Sequence, residues 1–405
     1  MIGSDAPRVL FLTTSVPRDG ETGGQIASWR VLRAYATFAQ VDVLALTPPG
    51  AQVPPELSDL AHRVATVPVP GFYYQHARLR LLGTLARSQL GGLPYRIAKF
   101  YRPEARRIVA DWAGQTDYAL IHCDHLATTP YATRASGTPF VLADYDVESN
   151  ELSSFAAAQS NPLSRAVLRR EARRTRAAEG AAVARAARVF AVSEEDARLL
   201  SQDDPRLAEK ISALPVPLPE ADPVPRRPGS PFGLLVLGPL QAGGRLEGLR
   251  WLLSAVWPRV RAEHPDARLL VVGAGAPDEI RARDGRDGIE VRGFVEDLDA
   301  VLSEIDLCVM PLLSGGGIRI KILESLPRGV PCLGTEVAVR GFAGVPGVLE
   351  ANAPDEWLAI VNDVVARPDE FRHAALAGAA ALRPRFSLEA TAAALELTLL
   401  PTAGR

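Results

Sequence analysis

Short apolar runs alternate with amphipathic stretches along nearly the whole chain. Arg8-Val9-Leu10-Phe11-Leu12-Thr13-Thr14 reads as a parallel strand buried on both faces, since it is continuously apolar with no strict alternation. A loop with Pro17, Gly20, Gly23 and Gly24 follows, then a helical pattern from Gln25 to about Phe38 and a second strand at Val41–Leu46. Similar runs predict strands at Ala119–His122, Pro139–Ala143 and Arg188–Val192, with helices between them. The Ala/Arg-rich stretch Ala156–Ala187 reads as helices with solvated arginine faces.

Pro215–Pro231 contains seven prolines, and few helices or strands tolerate so many missing N–H donors. This segment predicts an extended hinge. Beyond it the alternation restarts, with strands at Phe232–Leu237, Arg268–Val272, Ile289–Val291, Leu307–Met310 and Pro331–Thr335, and helices at Leu249–Glu263 and Asp299–Glu304. Strands alternating with helices imply parallel, doubly wound sheets. The expected fold class is therefore α/β, with two Rossmann-like domains. The first spans residues 1–214, the linker 215–231 and the second domain 232–385. Residues 386–405 are expected to form a helix and tail that pack back on the first domain.

Composition narrows the function classes. The chain has 405 residues, 47% hydrophobic and 23% charged, with a formal net charge of -2. A near-neutral chain offers no bulk attraction for nucleic acid. Cys123, Cys308 and Cys332 lack metal-ligand spacing and read as buried apolar residues of a reduced compartment. The N-terminus has no charged region leading into a long apolar run, and no window sustains the ~20 apolar residues of a membrane span. A cytoplasmic protein is the expectation, with the inner membrane face as an alternative station.

The most chemically loaded segment is Ser314-Gly315-Gly316-Gly317-Ile318-Arg319-Ile320-Lys321-Ile322-Leu323-Glu324. Glycines permit positive φ and close backbone approach, and a helix start presents free N–H groups to an anion. Arg319 and Lys321 add positive charge, while Glu324 is placed to accept hydroxyl hydrogen bonds. The combination predicts a seat for a nucleoside diphosphate. The plainer alternative is a glycine-rich turn capping a helix whose Ile318, Ile322 and Leu326 face the sheet.

The second half resembles the donor domain of GT-B glycosyltransferases, specifically the large retaining family 4. The resemblance rests on G-G-G-I-R-I-K-I-L-E-S-L-P-R-G-V-P-C-L-G-T, and on Leu270-Val271-Val272-Gly273-Ala274-Gly275, Val291-Arg292-Gly293-Phe294-Val295 and Asp306-Leu307-Cys308-Val309-Met310-Pro311. The first half matches more loosely, through Phe11–Gly24, Ile121–His125 and Asp144–Glu151. The resemblance implies a GT-B fold and transfer of a sugar from a nucleotide-diphosphate sugar to an acceptor hydroxyl with retention of configuration. No metal or other cofactor is implied, the nucleotide sugar being a co-substrate.

Carried over residue by residue, Gly315, Gly316, Gly317, Arg319 and Lys321 would hold the diphosphate, and Glu324 the donor ribose. Gly293 and Phe294 would meet the nucleobase, the alternative being a strand-ending glycine with a packed phenylalanine. Many relatives have a sugar-contacting glutamate where this chain has Gly316, so the motif does not specify the sugar. Nor does the usual lysine follow Arg245 in Gly238–Arg245, which leaves Arg245 as either phosphate ligand or loop residue. Arg245, Lys321, Asp124 and His125 are the candidate catalytic set. A non-catalytic nucleotide-sugar-binding subunit and a nucleotide-sugar epimerase of the same fold remain as alternatives.

On the first domain, Gly23 and Gly24 precede a helix and read either as bringing backbone to the donor phosphate or acceptor or as a flexible loop. His122, Asp124 and His125 follow an apolar strand, where α/β sheets place ligand groups, and a histidine there exchanges protons near neutral pH. His122 reads equally as a satisfied core residue. Asp144, Tyr145 and Glu148 stand where the family more often reads His-Asn-Val-Glu, and Asp144 and Glu148 are candidates for the acceptor side. Phe72–Arg107 mixes aromatics with arginines. It reads as an acceptor pocket, an anionic membrane contact or, slightly favoured, a solvated helical face. A natural product, a lipid or a polysaccharide remains open as the acceptor.

Overall fold

The structure, a computed structural model, describes residues 6–19, 22–70, 88, 92–132, 137–144, 147–191, 194–238, 240, 244–313 and 319–399. The glycines Gly315, Gly316 and Gly317 lie outside the described residues, as do Tyr145 and most of the aromatic–arginine region between Phe72 and Gly91.

Two parallel sheets organise the chain. The first contains β1 (Arg8–Thr13), β2 (Gln40–Thr47), β3 (Arg63–Pro68), β4 (Leu120–Asp124), β5 (Phe140–Asp144), β6 (Arg188–Ala191) and β7 (Ile211–Ala213) in the order β3-β2-β1-β4-β5-β6-β7. The second contains β8 (Gly233–Leu237), β9 (Arg268–Val272), β10 (Ile289–Arg292), β11 (Leu307–Met310), β12 (Cys332–Gly334) and β13 (Val348–Glu350) in the order β10-β9-β8-β11-β12-β13. Central strands are buried along nearly their whole length because helices cover both faces, which is why they appear as apolar runs.

Each sheet reverses its winding once, between β1 and β4 in the first and between β8 and β11 in the second. In open parallel sheets, ligands collect outside the carboxyl ends at such switch points. Thr13 and Asp124 end the strands at the first, and Leu237 and Met310 at the second. Both candidate half-sites therefore sit where the topology leaves a crevice.

The predicted helix Leu249–Glu263 is interrupted. Gly244–Trp251 is helical, Leu252–Val256 winds as a π-turn and Trp257–Glu263 resumes the α-helix. Pro258 lacks the N–H that would bond Ser254, so the ladder widens at that point. Glycine is required where β8 leaves the sheet: Gly238 has φ +114°, and a Cβ on Gly273 would fall 2.0 Å from the Gly238 carbonyl oxygen.

The linker is stitched to both halves. Arg226 makes two 2.8 Å bonds to Asp306, and Arg227 N donates to Ser303 O at 2.7 Å. Leu218 N donates to Phe386 O at 2.7 Å. Helix Leu388–Glu396 packs on helix Gly23–Tyr35 of the first domain, and Thr391 Oγ1 donates to Pro215 O at 2.8 Å. One apolar core runs from Val31 and Tyr35 through Ile322 and Leu326 to Leu395. No helix among the described residues is long and apolar enough to cross a membrane.

Candidate active site

Asp124 ends β4 with its carboxylate fully buried. Its Oδ2 accepts from Thr13 Oγ1 at 2.8 Å and from Ser28 Oγ at 2.6 Å. His125 follows with φ +92°, an uncommon conformation for a residue with a Cβ and one that persists where surroundings impose it. Its Nδ1 lies 2.5 Å from the Asp124 carbonyl oxygen and 3.4 Å from Oδ2. Burial opposes charge on this ring, but Asp124, by charge and hydrogen bonding, outweighs it and raises the pKa to about 9. Burial likewise disfavours the Asp124 anion, yet the two histidines hold it well below the carboxylate range. His125 is thus an imidazolium at neutral pH, presented at the cleft by a carboxylate that never reaches the surface.

His122 takes the core alternative. Its ring is fully buried and stacks on Phe11 with centroids 4.5 Å apart, Nδ1 lying 3.1 Å from the Tyr35 hydroxyl. Burial lowers its pKa, so it is neutral and touches the site only through Asp124, 3.8 Å away. The acceptor-side expectation for His122 is therefore corrected: it lies two residues short of the carboxyl end of β4, covered by Phe11 and Tyr35. Asp124 is corrected in the same sense, from a group meeting substrate to one that positions His125.

Glu148 begins helix Glu148–Ala158 and stands 3.9 Å from Arg96 Nη1. Burial pushes its carboxyl up to about 7, against the lowering influence of Arg96 and His125. Lys99 completes this corner, its pKa brought down to about 8 by burial and then by Arg96. Asp144, at the end of β5, is buried. Gly23 and Gly24 open the facing helix, capped by Thr22, whose side chain accepts from Gln25 N. A Cβ on Gly24 would lie 3.9 Å from His125 Nε2, and one on Gly23 would lie 3.5 Å from Ile320 Cγ1 of the other domain. The two glycines thus bring the helix start between His125 and Ile320.

Across the cleft, Lys321 lies in the short helix Ile320–Ser325, its ammonium beside Gly238 at the end of β8. Burial, and then repulsion from Arg245 and Arg319, lower its pKa to about 8. Among the described residues no carboxylate pairs with it. Arg245, in the first turn of Gly244–Trp251, is exposed. A cation set beside Arg245 and Arg319 is suited to meet an anion.

Arg319 departs from expectation. The helix begins only at Ile320, and the Arg319 side chain turns beneath it. Nε donates to Ala338 O at 3.1 Å and Nη2 to Val337 O at 2.8 Å, so the guanidinium braces the backbone after β12. These two bonds tie Nε and Nη2 to protein backbone, a structural engagement that the motif alone did not reveal. Glu324 is also more committed than its motif indicates: Arg30 of the first domain bonds Oε1, and Arg328 bonds Oε2 at 2.9 Å. Sequence reading missed Arg30, Thr13, Ser28 and Lys99. Only Thr13 and Ser28 had a visible signal, as hydroxyls flanking the first switch point.

Gly293 O accepts from Gly273 N at 3.0 Å, open space faces its Cα, and Phe294 is 48% exposed. An exposed ring beside bare backbone at the end of β10 can receive a planar base. Among the described residues no group of three or more His, Cys, Asp or Glu side chains is arranged to hold a metal ion.

Known proteins resemble this chain in part of its sequence and in its fold. The sequence model of the family described as "Glycosyl transferases group 1" matches residues 231–367. A curated relative from Klebsiella pneumoniae, described as an uncharacterized 44.6 kDa protein in the cps region, is 28% identical over 140 residues. That match covers 33% of this chain and 34% of the relative, so the chain spans about a third of the relative's length. Among solved structures, HepE of Anabaena in complex with UDP and glucose is 16% identical with a TM-score of 0.64, covering 96% of this chain and 98% of that one. Sucrose-phosphate synthase of Thermosynechococcus elongatus is 15% identical at 0.68, with the same coverage. WaaG, a glycosyltransferase involved in lipopolysaccharide biosynthesis, is 15% identical at 0.63 over 98% and 100% of the chains. At these identities the likeness defines the fold, which is GT-B.

Proposed function

Given a glycosyl transferases group 1 domain over residues 231–367 within a GT-B frame, we propose that this chain transfers a sugar from a nucleoside-diphosphate sugar to an acceptor hydroxyl with retention of configuration. The observation that carries the reading is Lys321, whose ammonium lies beside Gly238 at the second switch point within the electrostatic influence of Arg245. A diphosphate at the end of β8 would meet both charges, with Phe294 beside the base and Glu324 on the ribose. Lys321 and Arg245 would stabilise the departing nucleoside diphosphate, and preorganised charge of this kind is effective where water is excluded. On the first domain, His125 stands behind Gly24 at the helix start that meets Ile320 of the second. Retaining glycosidases use two carboxylates about 5 Å apart, whereas the groups assigned to the diphosphate here are the cations Lys321 and Arg245. Front-face attack, with the leaving phosphate accepting the acceptor's proton, fits the groups present.

HepE was solved with UDP-glucose, so uridine donors are the first to try. A thermal-shift screen of UDP-, GDP- and TDP-sugars tests the reading, because a ligand bound only by the native state raises the unfolding temperature. Stabilisation by at least one such donor, followed by chelator-insensitive release of its nucleoside diphosphate with an acceptor, is expected. No shift with any donor would refute the proposal.

A further inference from the structure

Arg30 lies two turns into helix Gly23–Tyr35 of the first domain, and Glu324 lies in the second. The Arg30 side chain is 3% exposed and that of Glu324 8%. The guanidinium divides its contacts, Nη2 bonding Glu324 Oε1 and Nη1 donating to the linker carbonyl of Pro217 at 2.9 Å. Asp19, half exposed, stands 3.4 Å from Nη2. From the other side, Arg328 Nη1 holds Glu324 Oε2 at 2.9 Å and the Glu324 carbonyl oxygen at 3.0 Å.

We infer that Arg30 is a positioning residue of the donor site, supplied by the opposite domain, which orients the Glu324 carboxylate for the ribose hydroxyls. The inference rests on the donor reading proposed above. A carboxylate offers about four lone-pair positions; one arginine on each oxygen leaves acceptor capacity for a vicinal diol. The two cations also offset the cost of keeping Glu324 ionised in a nearly buried place. Because Arg30 and Glu324 belong to different domains, and the Pro217 carbonyl to the linker, ribose recognition is complete only when the domains hold this mutual arrangement. A pair that merely tethered the domains would weaken every ligand alike, whereas a positioning pair acts on the hydroxyls.

That difference is measurable. Calorimetric titrations would use UDP, its 2′,3′-dideoxy counterpart and inorganic pyrophosphate as probes, replaced by GDP and dideoxy-GDP if UDP does not bind. The proteins would be the wild type, Arg30→Gln, Arg30→Lys, Glu324→Gln and Lys321→Ala. Hydrogen bonds to a charged group predict that the wild type prefers the ribose diphosphate to the dideoxy compound by about 10-fold or more. Arg30→Gln and Glu324→Gln are expected to collapse this preference to about 2-fold while leaving pyrophosphate affinity unchanged. Arg30→Lys should recover part of it. An undiminished preference in Arg30→Gln, or an equal loss for all three probes, would overturn the inference. If Arg30→Gln does not fold, Arg30→Lys decides: it lacks the divided fork, and an unchanged preference would be decisive against. Failure of the donor reading looks different, because Lys321→Ala would then bind every probe as the wild type does.

Discussion

The ammonium of Lys321 lies beside Gly238, where a Cβ would fall 3.2 Å from Nζ and 3.0 Å from Cε. Gly238 has φ +114°, which a residue with a side chain adopts only at a cost of about 1–3 kcal/mol. Gly238→Ala is therefore expected to lower the denaturation midpoint and to push Lys321 from its place. Nucleoside diphosphate affinity should fall about 10-fold or more in calorimetry. Wild-type affinity in a folded Gly238→Ala protein would show that this juxtaposition does not matter.

The pairing of His125 with Asp124 predicts a pH dependence. The native pKa of His125, about 9, lies above its ordinary value of 6.5. The stability it contributes is full below pH 6.5 and is lost as pH rises through 9. Asp124→Asn removes the charge that raises it. The variant is expected to be less stable than the wild type at pH 6 by about 1–3 kcal/mol, with the gap narrowing by pH 9.5. Urea unfolding at several pH values measures this, and a gap that widened with pH would contradict it.

Glu148 should show the same sign from a carboxyl. Its native pKa, about 7, is above the ordinary 4.5, so its favourable contribution is present at pH 4.5 and lost as pH rises through 7. Glu148→Gln has no charge to bury. Relative to the wild type it should gain about 1–3 kcal/mol between pH 5 and pH 8. Loss of turnover with added acceptor, despite that gain, would place Glu148 on the acceptor side.

His122, stacked on Phe11 and bonded to Tyr35, is expected to act on stability. His122→Ala should cost about 2–4 kcal/mol in urea unfolding, in the range of large-to-small core changes, with nucleoside diphosphate affinity retained. A binding loss without a stability loss would return His122 to the cleft.

The centre of each sheet was legible because burial on both faces leaves an apolar run: β9 and β11 were read to their end residues, and β8 to within one. The strands that escaped were β3, β7 and β13, three of the four sheet edges. Two of them have only three residues, and β3 is partly exposed along most of its length, so their hydrophobic signal is weak. In the site, Lys321 and the Gly23–Gly24 helix start were visible as local motifs. The Arg30–Glu324 contact joins residues 294 positions apart, which no spacing rule reaches. The inward turn of Arg319 depended on where the helix begins, and helix ends are the least certain feature of a sequence pattern.

The central claim is that the second domain seats a nucleoside diphosphate on Lys321. Calorimetric titration of UDP, and of GDP if uridine fails, into the wild type and Lys321→Ala tests it most directly. The account predicts measurable binding to the wild type and a loss of about 10-fold or more in a variant that remains folded, since a charge-assisted phosphate contact is removed. Equal affinity of the two proteins would contradict it.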